Sequence, residues 1–130
     1  MMLENKTVLV TGATDGLGKL VAIKLAENGA QVLIHGRDRA KGQATLAELR
    51  SATGNLNLDF YCADLAELAQ VRDLAADVTS AHKRLDILIN NAGVGLFAAA
   101  DRQLSCDGLE MHFQVNYLAP FLLTELLLPL

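Results

Sequence analysis

A short β-branched run, Thr7-Val8-Leu9-Val10-Thr11, leads directly into Gly12-Ala13-Thr14-Asp15-Gly16-Leu17-Gly18, and a helical pattern follows over residues 17–28. A strand that passes into a helix through so short a turn must fold that helix back over the sheet, which confines the chain to strand–helix–strand architectures. Gly12 permits the tight turn, Gly16 lets backbone approach a pyrophosphate, and Gly18 allows close helix packing; the first amides of the helix then face the phosphates. Glycines at this spacing also serve ordinary turns. The strand before them and the helix after them carry the phosphate-binding reading.

The rest of the chain repeats the pattern. The helix over 17–28 stops at Asn28-Gly29, and Gln31–His35 reads as a second strand. Asp38 is placed to cap a helix that runs to Thr53 and ends at Gly54. Residues 56–63 alternate Leu56, Leu58, Phe60 and Cys62 with Asn57, Asp59 and Tyr61, a period of two that suits a partly covered edge strand. Leu68, Val71, Ala75 and Val78 form one stripe of a third helix, residues 85–90 a fourth strand, and a last helix is expected from near Gly108. This alternation predicts one α/β domain over residues 1–130, a Rossmann-like doubly wound parallel sheet in the order 3-2-1-4. Ile87-Leu88-Ile89 is an uninterrupted apolar run, as in a strand paired on both sides. The expectation is therefore an incomplete sheet whose later strands are missing, with the Leu-rich tail as a helix cut from its second half.

Apolar residues make up 52% of the chain and charged residues 20%, a globular balance. The net charge of -4, without a basic run, argues against a nucleic-acid partner. Pro120, Glu125 and Pro129 interrupt the apolar tail, so no membrane span is expected, and the start lacks the pattern of a secretory signal. Cys62 and Cys106 lie far apart without metal-ligand spacing, which fits reduced thiols in a cytoplasmic protein and no metal site.

Four motifs, in order, resemble the short-chain dehydrogenase/reductase family. Thr11, Gly12, Gly16 and Gly18 match its T-G-x-x-x-G-x-G pattern; Asp64-Leu65 follows the third strand; Asn90-Asn91-Ala92-Gly93 follows the fourth; and Asn116 stands in the next helix where the family has an active-site asparagine. The resemblance covers the whole chain, and "GRDRAKGQATLAEL" and "DGLEMHFQVNYL" look most like the retinol-dehydrogenase-like branch. It implies a nicotinamide dinucleotide bound by Gly12, Thr14, Asp15, Gly16, Leu17, Gly18, Arg37, Asp64, Leu65, Asn91, Ala92 and Gly93. In the family, the position of Asp64 binds the adenine edge, Gly93 brings backbone close to a ribose, and Asn116 helps hold a water in a proton relay. Plainer roles stand beside these. Asp64 with Glu67 forms a capping box pattern, the asparagines close a turn, and Asn116, as a buried amide, bonds across to the Asn90–Gly93 loop. His35, His82 and His112 show no partner pattern, and Met111 and Phe113 read as core.

At the end of the second strand, Gly36 stands where a ribose-binding carboxylate would be, and Arg37 follows it. A missing carboxylate beside a guanidinium favours NADP(H) over NAD(H), although Asp15 and Asp38 oppose that field. By resemblance the activity is hydride transfer between the cofactor and an alcohol or carbonyl, with a Y-x-x-x-K pair as general acid/base. Neither tyrosine here fits, since Leu65 lies four residues after Tyr61 and Phe121 four after Tyr117. A phenol without that lysine is a poor base at neutral pH. Three readings follow: the cofactor-binding portion of an NADP(H)-dependent oxidoreductase, inactive alone; a non-catalytic nucleotide-binding module; or an interaction module, or homo-oligomer, pairing through the 108–130 helix.

Overall fold

The computed structural model describes residues 2–95 and 102–130. Four parallel strands, β1 (Thr7–Val10), β2 (Gln31–Gly36), β3 (Leu58–Cys62) and β4 (Ile87–Ile89), lie in the order β3-β2-β1-β4. This is the predicted doubly wound order. Val8, Leu9 and Val10 pair with Val32, Leu33 and Ile34 on one side and with Ile87, Leu88 and Ile89 on the other. β1 is buried throughout and β2 nearly so, as central parallel strands covered on both faces must be.

Two cores sandwich the sheet. Val8, Val10, Val32, Ile34, Leu58 and Phe60 face α1 (Gly16–Glu27) and α2 (Arg39–Thr53). Leu9, Leu33, Tyr61 and Leu88 face α3 (Leu68–Ala81) and α5 (Ala119–Leu127), whose Val71, Ala75, Val78, Leu123 and Leu127 complete that side. The alternation along each strand thus sends neighbours to opposite cores. α2 is capped as expected: Asp38 accepts from the Lys41 amide at 2.9 Å, and Gly54 ends the helix at φ 70°.

Several expectations shift: β4 spans Ile87–Ile89 rather than residues 85–90, and β2 runs on to Gly36. α1 spans residues 16–27 rather than 17–28. β3 starts at Leu58, not at residue 56, because Asn55 ties the approach to the α1–β2 corner through the Ala26 and Ala30 carbonyls, which leaves Leu56 exposed. The last helix begins at Met111, since Gly108 sits in a turn at φ 76° and Glu110 supplies the cap, accepting from the His112 and Phe113 amides. It runs as α4 (Met111–Phe113), a π-helical turn (Gln114–Leu118) and α5. Pro120 has no N–H to continue the regular ladder, and the widened turn directly precedes it. Met111 packs on the core, but Phe113 is exposed and stacks on Tyr117. Among the described residues β4 is an edge strand, and Ile87 is 38% exposed.

Candidate functional site

The carboxyl ends of β1, β2, β3 and β4 share one end of the sheet, where parallel α/β folds bind ligands. There β1 turns into α1 through Gly12 at φ 62° and Gly16 at φ 54°, backbone that side chains other than glycine rarely adopt. A Cβ on Gly12 would lie 2.8 Å from Ala92 Cα, so this glycine is required twice over. At Gly16 a Cβ would meet nothing within 4 Å, which leaves its backbone open to an approaching group. A Cβ on Gly18 would fall 2.2 Å from the Gly12 carbonyl oxygen, so close packing of helix on turn depends on its absence.

No side chain caps α1. Asp15 occupies the N-cap position without a capping hydrogen bond, and its carboxylate pairs instead with Lys41 of α2. That ammonium, aided by Lys19, lowers the Asp15 carboxyl below its ordinary value. The first amides of α1 thus keep their partial positive charge directed out of the sheet end, which suits an anion. Leu17 contributes its backbone there; its side chain is exposed beside Leu20. Thr14 is held between β2 and α2, its methyl packed over Gly36 and its carbonyl accepting from Thr45 at 3.3 Å. A side chain at Gly36 would collide with that methyl, at 2.5 Å from the Cβ position. Arg37 is exposed, with no ion-pair partner among the described residues.

The Asn90–Gly93 loop closes the other side of the turn, but its amides point inward. Asn91 Nδ2 donates to the Thr11 carbonyl at 3.1 Å and to the Gly12 carbonyl at 3.0 Å. The Thr11 hydroxyl accepts from the Asn91 and Ala92 amides and donates to the Ile89 carbonyl. Asn90 donates to Thr124 of α5. The turn-closing role is therefore realised, and it also places Ala92 and Gly93 beside the glycine turn.

Asn116 is exposed rather than buried: its π-helical turn buries Gln114 and Val115 and leaves Asn116 on the side of this loop. Its side chain still bonds across, accepting from the Val94 amide at 2.8 Å and donating to the Val94 carbonyl at 2.9 Å. Gly93 leaves room for it; a Cβ there would lie 3.3 Å from Asn116 Oδ1.

The capping box at Asp64 does not form. α3 starts at Leu68 with Glu67 as its N-cap residue, so Asp64 lies three residues ahead of the cap position and instead accepts from the Ala66 amide at 2.9 Å. Asp107, from the segment before the last helix, accepts from the Leu68 amide at 2.8 Å, and buried Gln114 donates to it at 2.9 Å. Leu65 is buried beneath this network.

His35 is the residue that pattern reading passed over. It is 3% exposed at the end of β2, accepts the Gly12 amide on Nδ1 at 3.1 Å, and donates from Nε2 to the Ala63 carbonyl at 2.8 Å. Its place near the carboxyl end of a nearly wholly buried central strand was the available signal. His82 is half-buried and bonds the Tyr61 hydroxyl at 2.8 Å, away from this end. A cavity of about 500 Å³ lined by Lys6, Thr7, Gln31 and Arg84 lies at the opposite, amino end of the strands.

This fold has known counterparts. The family model for short chain dehydrogenases matches residues 6–130. The chain belongs to the short chain dehydrogenase family. Among its curated relatives, bovine (Bos taurus) dehydrogenase/reductase SDR family member 13 is 42% identical over 131 residues, which cover 98% of this chain and 32% of that protein. Human (Homo sapiens) retinol dehydrogenase 13 is 42% identical over 126 residues, 97% of this chain and 37% of that protein. The chain thus spans about a third of the length of the curated relatives it matches. The solved Pseudomonas aeruginosa RhlG/NADP active-site complex superposes with a TM-score of 0.84 at 38% identity, over 98% of this chain and 48% of the other. A metagenomic short-chain oxidoreductase in complex with NADP gives 0.84 at 33% identity, over 99% and 57%. Among the described residues no helix is long and apolar enough to cross a membrane.

Proposed function

We propose that this chain forms the NADP(H)-binding portion of a short-chain oxidoreductase that transfers a hydride between nicotinamide and an alcohol or carbonyl. The observation that carries the reading is the uncapped start of α1, set behind a glycine turn whose geometry Ala92 and Asn91 enforce. A dinucleotide pyrophosphate is the group of matching charge and position. Asp64 and Leu65, at the end of β3, fit the adenine side, and Gly93 lies toward the nicotinamide ribose.

Arg37 supports NADP(H), since a free guanidinium beside Gly36 can take a 2′-phosphate in bidentate fashion. Lys41 supplies a second cation when it exchanges Asp15 for that phosphate. Hydride transfer needs a proton donor or acceptor that neither Tyr61 nor Tyr117 provides, so this polypeptide alone is expected to show negligible turnover. By resemblance to the family, Asn116 helps hold a water in a proton relay. The exposed, stacked Phe113, Tyr117 and Phe121 support pairing of this helix with a second copy.

Thermal unfolding of the purified chain tests the reading. NADPH at a hundredfold excess over its dissociation constant stabilises a native-only binder by about 2.7 kcal/mol, or roughly 10 °C for a domain of this size. Adenosine 2′,5′-bisphosphate should raise the midpoint more than 5′-AMP does, and Asp15→Asn should widen that gap. A cooperative transition that none of these nucleotides shifts would refute the assignment.

A further inference from the structure

We propose that His35 is a positioning residue for dinucleotide binding: its neutral ring holds the Gly12 turn through Nδ1 and the end of β3 through Nε2, and only the neutral ring can hold both. The inference rests on the cofactor-binding reading above and extends it to a residue that touches no cofactor.

The argument is one of donors and acceptors. Gly12 offers an N–H to Nδ1, and Ala63 offers a carbonyl to Nε2. A neutral imidazole carries one donor and one acceptor, so these two partners select the tautomer protonated at Nε2. Adding a proton turns Nδ1 into a donor that faces the Gly12 N–H. The Gly12 bond is then lost, and a half-buried amide is left opposed to a cation. Gly12 begins the turn that orients the first amides of α1, and Ala63 precedes Asp64. One ring therefore couples the phosphate side of the site to the adenine side. Backbone bonds run parallel to it: Ala13 N–H donates to the His35 carbonyl at 2.9 Å, and Ala63 N–H to the Gly36 carbonyl at 3.1 Å.

The charged surroundings do not reverse this. Burial holds the ring's pKa below the usual histidine value, while the Ala63 bond and the Asp64 carboxylate pull it back. Tyr61 lies in register with His35 on β3, its hydroxyl directed to His82. On the turn, Asp15 is paired with Lys41. Glu67, at the start of α3, is engaged with Gln70, and Asp107, from the segment before the last helix, with the Leu68 amide.

The test is the affinity of the chain for NADPH between pH 7.5 and 5, measured for wild type, His35→Gln and His35→Leu, with far-UV circular dichroism confirming the folded state at each point. Glutamine can accept from Gly12 and donate to Ala63 without titrating. The wild-type dissociation constant should rise up to tenfold per pH unit below the ring's midpoint. His35→Gln should bind at pH 7.5 within a few-fold of wild type and keep only the shallower dependence due to the 2′-phosphate; His35→Leu should bind at least tenfold more weakly. Nitrogen-15 spectra of the wild-type ring at pH 7.5 should show the proton on Nε2. NADPH affinity of folded His35→Leu equal to that of wild type at pH 7.5, or a proton on Nδ1, would overturn the role of His35 while leaving cofactor binding intact. Absence of NADPH binding by wild type at every pH would remove the cofactor reading itself, and this inference with it.

Discussion

Replacing Asn91 probes the construction of the site most directly. Its amide nitrogen donates to two carbonyls, Thr11 at 3.1 Å and Gly12 at 3.0 Å, both on the turn that must keep its shape. A net worth of about 1 kcal/mol per bond puts Asn91→Ala about 2 kcal/mol below wild type. Asn91→Asp keeps the shape but turns the donor into an acceptor, so at pH 7 a carboxylate faces two carbonyl oxygens. That variant should lose more than the alanine variant, because it adds repulsion to the missing bonds. The sign with pH follows. The introduced carboxyl is easier to protonate in the folded chain than in the unfolded one, so its folded pKa is raised. Stability relative to wild type should then recover as pH falls toward about 4, the unfolded carboxyl value, where the protonated group donates again. Urea unfolding resolves this: with a slope of roughly 2 kcal/mol per molar, the alanine variant's midpoint should fall by about 1 M. An aspartate variant as stable as the alanine variant at pH 7 would mean that the amide nitrogen does not face these carbonyls.

Gly18→Ala should cost about 1–3 kcal/mol, as overpacking against backbone does, and should also abolish the NADPH-induced thermal shift, since the intruding methyl meets the Gly12 carbonyl. Glu110 caps the last helix, and the Phe113 amide, followed by the His112 side chain, holds its carboxyl down at about 2. The stabilisation from this cap is present above about pH 4.5 and lost as pH falls through 2. A plot of urea midpoint against pH should therefore flatten in this range for Glu110→Gln, and an unchanged acid limb would count against the cap.

What the sequence made legible were features that depend on neighbours within a few residues. The glycine turn, the Asp38 cap, the Gly54 stop and the alternation of β3 each follow from local backbone or period, and the strand order follows from those elements and chain handedness. The capping box at Asp64 misled because the same spacing suits a turn ahead of a later helix start; Asp107, about forty residues on, offers the Leu68 amide a better partner. The inward direction of Asn91 and the bridging by His35 were hidden for a related reason. Each depends on a carbonyl or amide brought close by another strand, and no side-chain pattern marks it. Asp15 was read as a cofactor-binding position and as a charge opposing phosphate; its pairing with Lys41, 26 residues away, became visible only once α1 and α2 lay side by side.

The staple between Thr11 and the Asn91–Ala92 backbone joins residues 80 and 81 positions apart. Closing a loop that long is entropically demanding, and contacts of such separation form only after much of the chain between them has collapsed. The turn acquires its binding shape only once β4 has docked on β1, so completion of the pocket belongs among the last steps of folding. A cofactor that requires that shape reports on a finished fold rather than on a nascent one. Whatever loosens β4, though it lies across the sheet from the adenosine side, should loosen the grip on phosphate first.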